Sequence, residues 1–229
     1  DGSGTLSWTA ASSGASNVNG LSDALIEDNS LYLGQDPSST TSTAEYNLSV
    51  GVTALDAVTT GDANIAIGHD ALSANTTGSG NLAIGYGAYD NADTEGNNMA
   101  IGRDALGGSI NGGETNIAIG NYSLDANTSG DLNIGLGYVS LTQNSTGSSN
   151  VGIGNSAMQL NQTGSSNTTL GNNSMKSSLS SSYNTAVGAE ALFDANRTAD
   201  TDGYNTALGY NAGNTCLLYT SPSPRDRVL

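Results

Sequence analysis

The chain has 229 residues, a length for one domain or two small ones. Leu, Ile, Val and Phe together make up only 41 residues, and five Lys+Arg against 21 Asp+Glu leave a formal charge of -16. Taken alone, that balance matches disordered chains, and it excludes binding to phosphate backbones or anionic lipid through basic patches. The 31 Gly and 27 Asn disfavour long helices, and no run of apolar residues is long enough to span a membrane.

The chain opens on Asp1 rather than Met and is read as a processed or partial product. Residues 1–29 are rich in Gly, Ser and Asn, with Trp8 and a short apolar patch at Leu21–Ile26, and read as a linker or shaft-entry segment. From residue 30 the spacing overrules the composition. A nine-residue frame, clearest in Asn64-Ile-Ala-Ile-Gly-His-Asp-Ala-Leu72, begins at Asn47, Asn64, Asn81, Asn98, Asn116, Asn133, Asn150, Asn167, Asn184 and Asn205. The period is 17, with one spacing of 18 and a last one of 21, and a degenerate copy begins at Ser30. Such a period is the signature of a repeat architecture.

Within the frame the fourth position is always aliphatic (Val50, Ile67, Ile84 and onward to Leu208) and the fifth is always Gly. The third is small, the eighth is Ala or Ser, and the ninth is Leu or Met except at Tyr89 and Gly213. Large-small-large over the second to fourth positions predicts a short strand, and the Gly after it a corner. A second Gly near the end of most copies (Gly61, Gly78, Gly130, Gly147, Gly164) closes the unit as a turn. A unit this short cannot bury its apolar side alone, whereas stacked rungs cover one another. The fold expected over 30–215 is therefore all-β, a parallel β-solenoid or β-roll of about eleven 17-residue rungs. Its core is expected to be the fourth-position aliphatics plus the ninth-position Leu and Met, thin enough to favour an oligomer. The Asn that opens each copy reads as structural, its amide stacking along the rod or holding a corner. Large aliphatics five residues apart fit a hexapeptide β-helix poorly, and the Gly-Gly-x-Gly-x-Asp motif of calcium-binding rolls is missing from the sequence.

The 21-residue rung inserts four residues within 194–203, a loop in which Arg197, Asp200 and Asp202 are candidate contact residues. Asp200-Thr-Asp202-Gly has the look of a calcium loop without the remaining oxygen ligands, so no metal site is expected. The tail Cys216-Leu-Leu-Tyr-Thr-Ser-Pro-Ser-Pro-Arg-Asp226 resembles a translated sequencing adapter, which implies that 216–229 is an unstructured artefact. Without it the chain has no cysteine, and thiol chemistry drops out.

The repeated Asn-x-Ala-Ile-Gly-x-x-Ala resembles the head repeats of trimeric autotransporter adhesins of the YadA type. It is also similar to repeat regions of bacteriophage tail-fibre-like proteins, particularly marine ones, as is Asn205-Thr-Ala-Leu-Gly-Tyr-Asn-Ala-Gly213. The resemblance covers about residues 30–213 and implies a left-handed roll, three chains side by side as a homotrimer. It also implies an extracellular place, at a bacterial outer-membrane surface or on a virion, for attachment to a host glycan or protein receptor. Neither a cofactor nor direct membrane insertion is expected.

No enzyme is expected either. The single His, His69, stands at a sixth position where its siblings are Tyr86, Arg103, Asn121 and Tyr138, a set that only a solvent-facing position accepts. No Cys or His cluster and no phosphate-binding glycine loop is present in the sequence. The stripe His69, Tyr86, Arg103, Asn121, Tyr138 is instead the candidate contact edge, because Tyr and Arg anchor interfaces and aromatic faces stack on sugar rings. The alternatives are a structural fibre spacer for a receptor-binding tip, or a polysaccharide-cleaving spike.

Overall fold

A computed structural model of the chain describes residues 24–27, 29–34, 43–108, 111–194 and 203–214. The segment 1–23, the tail 215–229 and the loop bearing Arg197, Asp200 and Asp202 lie outside the described residues. Twelve strands form one sheet in sequence order. They are β1 (Ala24–Glu27), β2 (Ser30–Leu33), β3 (Leu48–Val50), β4 (Ile65–Ile67), β5 (Leu82–Ile84), β6 (Met99–Ile101), β7 (Ile117–Ile119), β8 (Ile134–Leu136), β9 (Val151–Ile153), β10 (Thr168–Leu170), β11 (Thr185–Val187) and β12 (Thr206–Leu208). β2 to β12 are parallel and in register, so that Ala66 pairs with Ala83 and Ala83 with Ala100. β1 alone runs antiparallel, against β2, and covers that edge of the stack. The described residues contain no helix, and the fold is the expected parallel β-solenoid.

The core differs from the expectation. In β4 to β7 the middle residues Ala66, Ala83, Ala100 and Ala118 are fully buried, while the fourth-position aliphatics face outward, with Ile67 36%, Ile119 38% and Leu170 48% exposed. The reason is the width of the rung. An ideal Cβ on Gly152, a third-position residue, would lie 3.0 Å from Ser140 Oγ and 3.2 Å from Leu141 Cδ1 on the opposite wall, so in these rungs only a small side chain fits inside the strand, whereas the first rung takes the buried Tyr32. Strand alternation then sends the large second and fourth residues to the other face. The interior is filled from the far wall by the eighth-position Ala or Ser and the ninth-position Leu72, Leu106, Leu124, Leu141, Met158 and Met175. Where the third residue is Gly, the preceding rung's eighth is Ser. Ser123 Oγ donates to Gly135 O at 2.9 Å and Ser140 Oγ to Gly152 O at 2.8 Å, so the hydroxyl both fills the space and is satisfied.

A polar spine runs beside this narrow core. The backbone N–H of each repeat-opening Asn donates to Oδ1 of the Asn one rung earlier, from Asn64 to Asn47 at 2.8 Å through to Asn205 to Asn184 at 3.1 Å. The amide Nδ2 crosses the rung to the closing turn, as from Asn64 to Gly78 O and from Asn133 to Gly147 O, both 2.8 Å. A second buried file joins Asn161 to Asn144 and Asn144 to Asn127. It stops at Ser178, whose shorter side chain leaves Asn161 Oδ1 without a partner. The Asn-x-Ser/Thr sequons at Asn47, Asn75, Asn127, Asn144 and Asn161 are therefore buried, not surface acceptors. A third file caps the outer turn, where Ser148 N donates to Ser165 Oγ and Asp131 N to Ser148 Oγ, both at 3.0 Å.

The corners are tight. Gly85, at φ +139, lies so close to the next rung that a Cβ would sit 2.5 Å from Gly102 O. The seventh and ninth positions adopt left-handed φ with ordinary side chains, including Leu72 at 53°, Val139 at 50° and Met158 at 50°. Left-handed backbone costs about 1–2 kcal/mol per L-residue, and most for a β-branched one. Asp and Asn tolerate it, which accounts for Asp70, Asp104 and Asn173 at the seventh position.

Two outcomes are expected in urea unfolding. Asn133→Ala removes the acceptor of the buried Asn150 N–H and the donor to Gly147 O, costing about 2–4 kcal/mol. Val139→Asn relieves the left-handed β-branched residue and stabilises the rod by about 1 kcal/mol.

Candidate binding face

The outward second and fourth columns form an aliphatic strip along the strands, including Ile65, Leu82, Ile84, Ile101 and Ile134. One margin is the column preceding each repeat-opening Asn, with Tyr46 62%, Leu132 56%, Tyr183 51% and Tyr204 70% exposed. The other margin is the sixth column, with Tyr86 and Tyr138 each 53% exposed. From β3 to β12 these four columns carry no Asp or Glu, and Arg103 is their only Lys or Arg, whereas all thirteen acidic residues between 45 and 194 lie elsewhere on the rung. In a chain this acidic, such a face has the composition of an interface: apolar centre, Tyr and Arg at the margin, charge depleted.

Stacking of rungs turns the sixth-position stripe into a file of contacts. The His69 and Tyr86 rings stack at 5.4 Å with 15° between planes, and Arg103 Cζ lies 5.4 Å from the Tyr86 centroid. Arg103 also sits 6.0 Å from the ring of Tyr122, which meets Tyr138 edge-on at 6.2 Å. Asn121 takes part through its side chain, whose Oδ1 accepts the Arg103 backbone N–H at 3.0 Å. Five of the six residues are therefore the stripe read from the sequence. Tyr122 is the addition, a seventh-position residue that the fixed column spacing did not flag. Rings stacked along the rod partly cover one another's faces, so what the His69–Tyr86–Arg103 run offers outward is ring edges, the Tyr hydroxyls and the guanidinium, and sugar stacking on its inner ring faces is blocked. A separate pair, Tyr183 and Tyr204, stacks on the opposite margin at 5.0 Å and 4°.

Behind the sixth column lies an acidic corner. An ideal Cβ on Gly87 would fall 2.5 Å from Asp104 Oδ1 and 3.6 Å from Asp90 Oδ2, so carboxylates from adjacent rungs converge on this glycine. His69 Nδ1 pairs with Asp70 Oδ2 at 2.6 Å and Arg103 Nε with Asp104 Oδ2 at 3.1 Å. Burial, and then the charges of Asp104, Asp70 and Asp125, push the Asp90 carboxyl up to about 6 against an opposing hydrogen bond from its own backbone. Asp56 and Asp125 move the same way, again mainly through desolvation. Among the described residues no group of three or more His, Cys, Asp and Glu could hold a metal ion, and no helix is long and apolar enough to cross a membrane. No protein family, curated protein or solved structure matches the chain.

The corner sets a pH dependence. The folded rod holds the Asp90 proton more tightly than the unfolded chain does, where the ordinary value is 3.8, so this group's contribution to stability falls as pH rises from about 4 to about 6. Urea midpoints measured across that range are expected to decline in the wild type and to decline less in Asp90→Asn.

Proposed function

We propose that this chain is a non-enzymatic surface-attachment module, a rod of three copies packed through their acid-free faces and displayed outside the cell or on a virion. The observation that carries this reading is that face itself, four columns without a carboxylate on a chain of net charge -16. Ten rungs at about 4.8 Å extend it to about 50 Å, a length that supplies area on the scale of a standard interface. The partner must present an equally long, straight apolar strip, and the same face of another copy does so. Resemblance of the Asn-x-Ala-Ile-Gly repeats to adhesin heads and phage fibres supports the same reading. In the assembly the aliphatic centre is covered, and the stripe with Tyr86, Arg103 and Tyr138 stands at the margin, where its hydroxyls and guanidinium reach a host glycan or protein.

Ile84→Asp combined with Leu136→Asp leaves the narrow core untouched, because both residues point outward. Sedimentation is expected to give trimers for the wild type and folded monomers for this variant, and a monomeric wild type would sink the reading. Tyr86→Ala with Tyr138→Ala is expected to keep the trimer and to weaken host-cell binding by more than about 1 kcal/mol per residue. Trimers that bind no cell or glycan at all would leave the rod as a spacer for a separate tip.

A further inference from the structure

The rung from Asn98 to Thr115 is one residue longer than its neighbours. The extra residue falls ahead of Gly113, because Asn98 Nδ2 reaches Gly113 O across 15 residues where Asn116 reaches Gly130 O across 14. This lengthened turn carries Asn111-Gly112, both exposed. One rung earlier stands Glu95, 6% exposed, where sibling rungs have Gly61, Gly78, Gly130, Gly147 or Gly164. Its Oε2 accepts the backbone N–H groups of Asp93 at 3.2 Å and Thr94 at 3.1 Å, which fixes the carboxylate in its own turn. Its Oε1 accepts the backbone N–H of Gly112 at 2.8 Å.

That amide nitrogen is the one that can attack the side chain of the preceding asparagine. A base within about 2.6–3.2 Å of the proton-bearing atom is placed to take the proton. Gly112 has no Cβ to obstruct the approach, its φ is +102, and nothing lies within 4 Å of where a Cβ would be. We propose that Asn111 is a self-modifying site that deamidates through a cyclic imide with Gly112, Glu95 acting as the base. The Gly112 nitrogen forms a bond to Asn111 Cγ while its proton passes to the Glu95 carboxylate. The tetrahedral centre then collapses, the Cγ–Nδ2 bond breaks, and ammonia leaves with the proton that Glu95 returns. Water opens the imide at either carbonyl, giving aspartate or isoaspartate at 111. The product sets a new carboxylate near Glu95, and like-charge repulsion works against the hydrogen bond that ties down the long rung.

Peptide mass spectrometry on the full chain, aged at about pH 6 and about pH 8, tests this, with the chain's other Asn-Gly pair, Asn19-Gly20, as internal comparator. Asn111 is expected to convert about tenfold faster than Asn19, and at nearly equal rates at the two pH values, because a built-in base does not follow the hydroxide concentration. Glu95→Gln is expected to slow Asn111 about tenfold and to restore a rise with pH. An Asn111 rate no faster than that of Asn19, or one that climbs with hydroxide in the wild type, overturns the proposal. Should Glu95→Gln fail to fold, the wild-type pH profile decides alone.

Discussion

The rod depends on one repeated exchange, in which a buried asparagine takes the backbone N–H of the asparagine one rung above and gives its own amide proton to the closing turn of its rung. A strand of three residues has too few ladder bonds to fix its own register, and its inward residue is an alanine or smaller in most rungs. Buried amide groups left unpaired cost about 1–3 kcal/mol each, so any shift of register breaks a whole file at once. Specificity here comes from polar satisfaction, and the thin aliphatic filling follows it.

The same constraint sets the shape of everything outside. Because each rung is pinned from within by an amide that spans its width, the walls beyond the first rung stand too close for a large side chain on the strand, and the leucines enter from the far corner in left-handed conformation. The strand's isoleucines and leucines then face outward, flanked by tyrosines, while carboxylates are confined to the other corners and turns. This solenoid carries its largest strand aliphatics on the outside, while its interior is filled by small residues and the far-corner Leu and Met. In the proposed trimer, association of copies would complete that arrangement and leave the aromatic margin open for contact.

The period, the short strand in each repeat and the parallel register were legible because Asn64, Ile67, Gly68 and Leu72 recur at fixed offsets. The orientation of the strand was not. Ile-Ala-Ile reads equally well with either face inward, and the width that decides it depends on the far wall, seen only once Leu141 and Ser140 stand opposite Gly152. That the sixth-position residues stand next to one another was legible, since rung stacking makes sequence period and spatial neighbour the same thing. Tyr122 escaped because it joins the file from the adjacent corner position, and Glu95 because a single carboxylate in a glycine position shows its role only beside the lengthened rung that it clasps.

The claim on which the functional account turns is that the aliphatic face is covered in solution. Its most direct test is thiol labelling of two single-cysteine proteins, Ile119→Cys on that face and Thr77→Cys on the outer turn, each with Cys216 replaced by serine. Both positions are exposed in the isolated chain. The account predicts that the cysteine at 77 reacts freely while the one at 119 is protected under native conditions and reacts after unfolding. Equal, rapid labelling of both in the native protein would contradict it.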